Sequence, residues 1–290
     1  MIRKNVDALY IKGDGHAVCQ DYAYAHIGEN YHCAVISDGC SSSCNTDIGA
    51  RLLCMAFVSA FNDFVEIRKG RASEEFEETF DKVMSLQIGS HIIKTAQSMI
   101  DSRLLDMAVG RGSICDATVF GIFATEDKIY VGGWGDGFVV LDSKERLEVS
   151  EVAFTSGAPY YLSYFLDKDR DDAYAEMAGE SSTFVNTQWS NAMMKGEDSV
   201  TIDPMEYPHF WRAYDYEDEM VISVLSDGAA SFKGITSGEV VSQMTAFKNF
   251  NGDFVHRRLQ SFKKKCVKDG LTHYDDLSCA SLHVRKVNDD

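Results

Sequence analysis

The stretch AVISDGCSSSCNTDIGARLL, residues 34–53, decides how the chain is read. Four apolar or small residues run into Asp38-Gly39, a serine-rich loop follows, and Asn45-Thr46-Asp47 opens a helical pattern. The order is strand, acid, loop, helix, with the acid at the strand end. The same ending recurs far away: VISVLSDG closes an apolar run on Asp227-Gly228. Asp21 sits in CQD and Asp275 in YDDLS, and three of these four acids follow or precede short β-like apolar runs. Acids at scattered strand ends imply a fold that gathers them in one place. Gathered carboxylates repel strongly unless a cation neutralises them. An oxygen-only donor set suits hard divalent ions such as Mg²⁺ or Mn²⁺.

Outward from that stretch, Asp7–Lys12, Tyr22–Ile27 and His32–Ile36 read as strands, with a turn at Gly28-Glu29-Asn30. Leu53, Ala56, Phe57, Ala60 and Phe64 repeat at helical spacing. A second helix is predicted from about Ser73, carrying Phe76, Phe80 and Val83 on one side and an acidic face opposite. Its signal runs past Gly89 to about Met107. Asp116–Ala124, Lys128–Gly132 and Phe138–Asp142 read as a meander of three strands with Asp136-Gly137 as one turn. Residues 155–218 are read as strands interrupted by a long mobile insertion containing the acidic stretch Asp167–Asp172. Met220–Leu225 and Leu277–Val284 read as strands, and Ser237–Phe247 and Asp253–Val267 as helices. Strands and helices are grouped rather than alternating, which predicts an α+β fold. With no linker evident, residues 1–290 read as one domain.

Composition narrows the function. The formal net charge is -17, from 45 acidic and 28 basic side chains. Nucleic acid and anionic membranes are therefore disfavoured as partners, since phosphate backbones need a basic surface. The eight cysteines include no CxxC, and Cys40 and Cys44 with His32 lack a second pair to complete a zinc site. Free thiols and the lack of a signal-like opening point to a cytoplasmic protein. No run of about 18 apolar residues predicts a membrane span.

Taken together, CQDYA, AVISDGCSSSCNTDIGARLL, DATVFGIFATEDKIYVGGWGDGFVVLD, VISVLSDGAASF and DDLSCASLHV resemble, in order, the signature blocks of PP2C-type (PPM) metal-dependent phosphatases. The GDGHAVCQD opening is most similar to a compact bacterial subgroup. The resemblance implies an α-β-β-α sandwich of two antiparallel sheets flanked by helices, with a variable flap around residues 155–218. It implies hydrolysis of phosphoserine and phosphothreonine in proteins by a hydroxide bridging two Mn²⁺ or Mg²⁺ ions. Carried over by position, Asp38 bridges both ions, the Gly39 carbonyl binds the second, and Asp227 and Asp275 bind the first. Asp21 holds metal-bound water, and Asp136 corresponds to a looser third site. His16 stands near the place of a phosphate-binding Arg, and Cys40 where eukaryotic members have a His, which leaves the general acid open between His16 and water. Asp276 occupies a position more often Asn. The implied partners are a phosphorylated protein, and a serine/threonine kinase or its targets. A second function class uses the same fold as a catalytically weak module that binds or senses phosphoproteins.

Overall fold

A strand buried on both faces needs cover on both. Val119–Ala124, Ile129–Trp134 and Met220–Leu225 are buried at every residue. In the computed structural model they lie in the middle of a layered structure. The structure describes residues 2–29, 31–68, 85–101, 113–179, 184–189, 200–205 and 209–286. The strands are β1 (Ile2–Ile11), β2 (Tyr22–Ile27), β3 (His32–Ser37), β4 (Val119–Ala124), β5 (Ile129–Trp134) and β6 (Gly137–Asp142). After them come β7 (Leu147–Phe154), β8 (Phe184–Trp189), β9 (Val200–Met205), β10 (His209–Tyr214), β11 (Met220–Leu225) and β12 (Leu277–Lys286). The helices are α1 (Thr46–Arg68), α2 (Ser85–Asp101), α3 (Lys168–Ala178), α4 (Ser237–Thr245) and α5 (Phe254–Asp269).

Two antiparallel sheets result, one in the order β1-β12-β11-β6-β7-β8-β9 and the other β10-β5-β4-β3-β2. Between them lies a core that includes Ile36, Phe120, Ile122, Leu141, Ile222, Val224 and Leu282. Helices α1 and α2 cover the outer face of the five-stranded sheet through Phe57, Phe61, Phe64, Ile92 and Ile93. Helices α4 and α5 cover the seven-stranded sheet through Val240, Val241, Leu259 and Phe262. This is the α+β sandwich expected, with helices outside and sheets inside. Helix α1 is long and apolar enough to cross a membrane by composition, but Leu53, Phe57, Phe61 and Phe64 are packed in the core against the sheet.

Three expectations need correction or fall elsewhere. The predicted meander is broken. Strands β4 and β5 pair, but β5 and β6 belong to different sheets, so Gly135-Asp136 is a crossing between layers. Gly135 takes φ +92°, a left-handed value that glycine adopts freely. Within 155–218 the acidic stretch is not part of an irregular insertion: it forms helix α3, where the Asp167 side chain accepts a hydrogen bond from Arg170 N–H. The helix predicted near Ser73 and the end predicted near Met107 lie outside the described residues, while α2 runs unbroken through Gly89.

The outer aromatic cluster sets the seat of α1. Phe61 lies 4.6 Å from Phe57 and 4.5 Å from Phe123 between ring centroids, and it is fully buried. Replacing Phe61 by Ala should lower stability by about 3–5 kcal/mol in urea unfolding. A loss under about 1 kcal/mol would show that this layer is loosely packed.

Candidate metal centre

Each predicted acid sits where backbone from another segment crowds it into place. Asp38 ends β3, where its N–H donates to Thr118 Oγ1 (3.1 Å) and its carbonyl accepts from Thr118 N–H (2.8 Å). Gly39 follows because a Cβ there would meet Gln20 O at 2.9 Å and Thr46 Cβ at 2.8 Å. Asp227 opens a short 3-10 turn after β11. A Cβ on Gly228 would come within 1.7 Å of the Asp276 carbonyl oxygen, so only glycine lets the two loops close together. The two Asp-Gly pairs that resemble hairpin signals therefore serve close approach between segments instead.

The result is a cleft of about 160 Å³ whose lining includes Asp38, Gly39, Asp136, Asp227, Asp275 and His16. Five of the six predicted metal-site residues thus meet there, with His16 beside them. The sixth, Asp21, lies behind the wall, 2% exposed, with Ser226 Oγ donating to its Oδ2 at 2.8 Å. Asp38, Asp136, Asp227 and Asp275 are half-buried and open to the cleft.

Electrostatics follow from that crowding. Burial, then the charges of Asp21 and Asp227, hold the Asp38 carboxyl well above its usual range. Burial pushes Asp21 up to about 7. Burial and then Asp227 push Asp136 up to about 7, and the same two causes raise Asp275. Two buried oxygens, Asp21 Oδ1 and Asp227 Oδ1, have no hydrogen-bond partner. Among the described residues no three acidic, imidazole or thiol groups are drawn into a closed chelate. The acids stand as neighbours around a gap. Unpartnered carboxylate oxygens, carboxyl pKa values raised by crowding and burial, and an all-oxygen donor set fit hard divalent cations.

The sequence reading underrated Asp276. It is fully buried and accepts from Gly13 N–H (2.7 Å) and Gln20 N–H (2.6 Å). His16 Nδ1 lies 2.9 Å from its Oδ2, and His16 Nε2 lies 3.6 Å from Asp275 Oδ1. Burial acts to raise Asp276, but His16 and the two backbone donors outweigh it and leave the carboxyl below its usual value. Asp276 in turn raises the His16 imidazole. One carboxylate therefore pins the loop that carries both His16 and Asp21.

A second node was missed altogether. Asp116, 3% exposed, takes Arg170 Nη2 on both oxygens (2.6 and 2.7 Å), Ser43 Oγ at 2.8 Å and Ser163 Oγ at 2.6 Å. Its own carbonyl accepts from Cys40 N–H at 2.8 Å. It ties the loop after Gly39 to α3 and to the 3-10 turn Leu162–Leu166. Tyr160 and Tyr161 are buried, and Tyr161 lines the cleft. Arg170, a cation inside an acidic run next to a capping Asp, was the available signal for this node.

The same fold occurs in solved phosphatase structures. The chain overlays a serine-threonine phosphatase 2C from Toxoplasma gondii at TM-score 0.54, with 11% identity, over 97% of this chain and 95% of that one. The serine/threonine phosphatase Stp1 from Staphylococcus aureus gives TM-score 0.52 with 11% identity over 97% and 95%. A serine/threonine phosphatase of S. agalactiae gives 0.50 with 14% identity over 97% and 99%. At these identities the likeness shows a shared fold. No curated protein sequence matches the chain. A family model described as Protein phosphatase 2C matches residues 13–183, a span that holds Asp21, Asp38 and Asp136 and is more than half of the chain. The chain belongs to the protein phosphatase 2C family.

Proposed function

We propose that the chain hydrolyses phosphoserine and phosphothreonine in proteins, with two Mn²⁺ or Mg²⁺ ions in the acidic cleft. One observation carries the reading: acids from four separate segments meet around a gap, with Asp21 buried behind them and Asp227 Oδ1 left without a hydrogen-bond partner. Asp38 would bridge the ions, the Gly39 carbonyl would bind one, and Asp227 and Asp275 the other. Asp136 would hold a weaker third ion, and Asp21 would orient water from behind. When bound, such ions supply an acidified water and neutralise phosphoryl oxygens. His16 contacts the phosphate and holds a proton for the leaving oxygen, kept in place by Asp276 at Nδ1. Gly157, Pro159 and Tyr161 wall the cleft from the flap side, where they orient substrate and limit water. Residues 1–290 act as one catalytic unit in this reading. A reducing cytoplasm suits its free thiols, five of them buried.

Asp38→Asn should lower Mn²⁺-dependent kcat/KM on p-nitrophenyl phosphate by on the order of 10³-fold while circular dichroism is unchanged. Turnover equal to the parent protein would rule out the central role of Asp38.

The EDTA-treated protein should lose thermal stability as pH rises from about 4 to about 7. Asp21 and Asp136 have folded pKa values of about 7 against 3.8 for the free side chain, so the folded state binds more protons across that window. Mn²⁺ should restore the loss by binding only the folded form. A melting temperature that climbs through the same window without metal would contradict the assignment.

Asp276→Asn removes the charge that raises His16. The alkaline limb of the kcat/KM profile should then move to lower pH if His16 acts as the acid. A profile that keeps its shape while activity drops uniformly would limit Asp276 to loop structure.

A further inference from the structure

Helix α5 concentrates positive charge in an acidic chain. Its sixteen residues carry Arg257, Arg258, Lys263, Lys264, Lys265 and Lys268 against one acid, Asp269, while the whole chain has net charge -17. Phe254, Val255, Leu259, Phe262 and Cys266 form the buried face, so five of these cations are exposed and Arg258 is partly so. Three are held by neutral oxygens. Arg257 Nη2 donates to Asn249 Oδ1 (3.0 Å) and Asn251 O (2.7 Å), Lys265 Nζ to Gln243 Oε1 (2.6 Å), and Arg258 Nε to Gln243 O. Among the described residues none of the six pairs with a carboxylate. The helix dipole accounts for Lys268 in the last turn. It does not account for Lys263-Lys264-Lys265, and Lys264 and Lys268 are a like-charge pair one turn apart, which costs helix stability.

The buried face of the same helix packs toward the segment that carries Asp275. Phe262 lies 5.5 Å from Phe232, which stacks on His273 at 5.1 Å, and His273 is two residues before Asp275. Tyr274, between them in the chain, is 67% exposed and offers an aromatic contact at that rim. A negatively charged peptide meets repulsion over most of this protein and attraction along one helix, which orients its approach.

We propose that the outer face of α5 is a docking strip for an acidic segment of the phosphoprotein substrate, so that the favoured phosphosites are flanked by Asp and Glu. This inference rests on the phosphatase reading, and its test separates the two. Fluorescent phosphothreonine peptides with acidic, neutral or basic flanks are titrated into the full chain with Mn²⁺, by anisotropy and by turnover. The comparison is with a Lys263→Gln/Lys264→Gln/Lys265→Gln/Lys268→Gln variant, whose changes all lie outside the cleft lining. The acidic peptide should bind most tightly to the parent protein and weaken as salt rises. The variant should bind that peptide about tenfold more weakly and show a KM about tenfold higher with kcat unchanged, and should hydrolyse p-nitrophenyl phosphate as the parent does. Equal affinity for the three peptides, or an acidic preference that survives in the variant, would overturn the proposal. So would binding of phosphatidylglycerol vesicles that the acidic peptide does not displace, which would assign the strip to a membrane surface. A parent protein that binds acidic peptides selectively yet turns over no phosphoester would retain the strip and refute the enzymatic reading.

Discussion

The cost of burying several carboxylates side by side, desolvation first and mutual repulsion second, is the constraint on which this structure depends. Asp21, Asp38 and Asp136 all resist ionisation there, and burial is the leading cause for each. A cluster of this kind lowers stability on its own account. Bound cations or protons would each relieve that cost. The surrounding hydrophobic layers must therefore be strong enough to hold the acids together before any ion arrives, and the three cores flanking and separating the sheets serve that end.

Delivery of the acids depends on connections rather than on strands alone. The chain passes between sheets at Gly135-Asp136, so one acid is presented at the seam of the sandwich. Gly39 and Gly228 let loops touch backbone to backbone, at distances no side chain would permit. Asp276 fastens the loop bearing His16 and Asp21, and Asp116 fastens the loop beyond Gly39 to the flap. Two buried carboxylates that face nitrogen and hydroxyl donors hold the frame. Asp38, Asp136, Asp227 and Asp275 face the gap instead. Identical chemistry is thus divided between frame and cleft by whether donors are supplied.

Much of this was legible in the sequence. An apolar run that ends on Asp-Gly is a local signal, and it located Asp38 and Asp227 correctly at strand ends lining the cleft. Helix α1 was legible from its repeat of Leu53, Phe57 and Phe64, and its start from Asn45-Thr46-Asp47. What failed was non-local. Nothing near Asp136 says that β5 and β6 join different sheets, since that depends on pairing with β10 and β11. Asp276 beside Asp275 is ambiguous until Gly13 and Gln20, some 260 positions away, are seen donating to it. Helix α3 was hidden because its charged composition buries no residue, so it carries no apolar periodicity; Arg170 reaching Asp116 does that work from outside.

The pairing of β1 with β12 and the bonds from Gly13 and Gln20 to Asp276 join the two extremes of the chain. Synthesis runs from the amino end, so a nascent polypeptide with Asp38 already folded still lacks Asp227 and Asp275. The acidic cleft is therefore complete only once the segment that carries Asp275 has been synthesised.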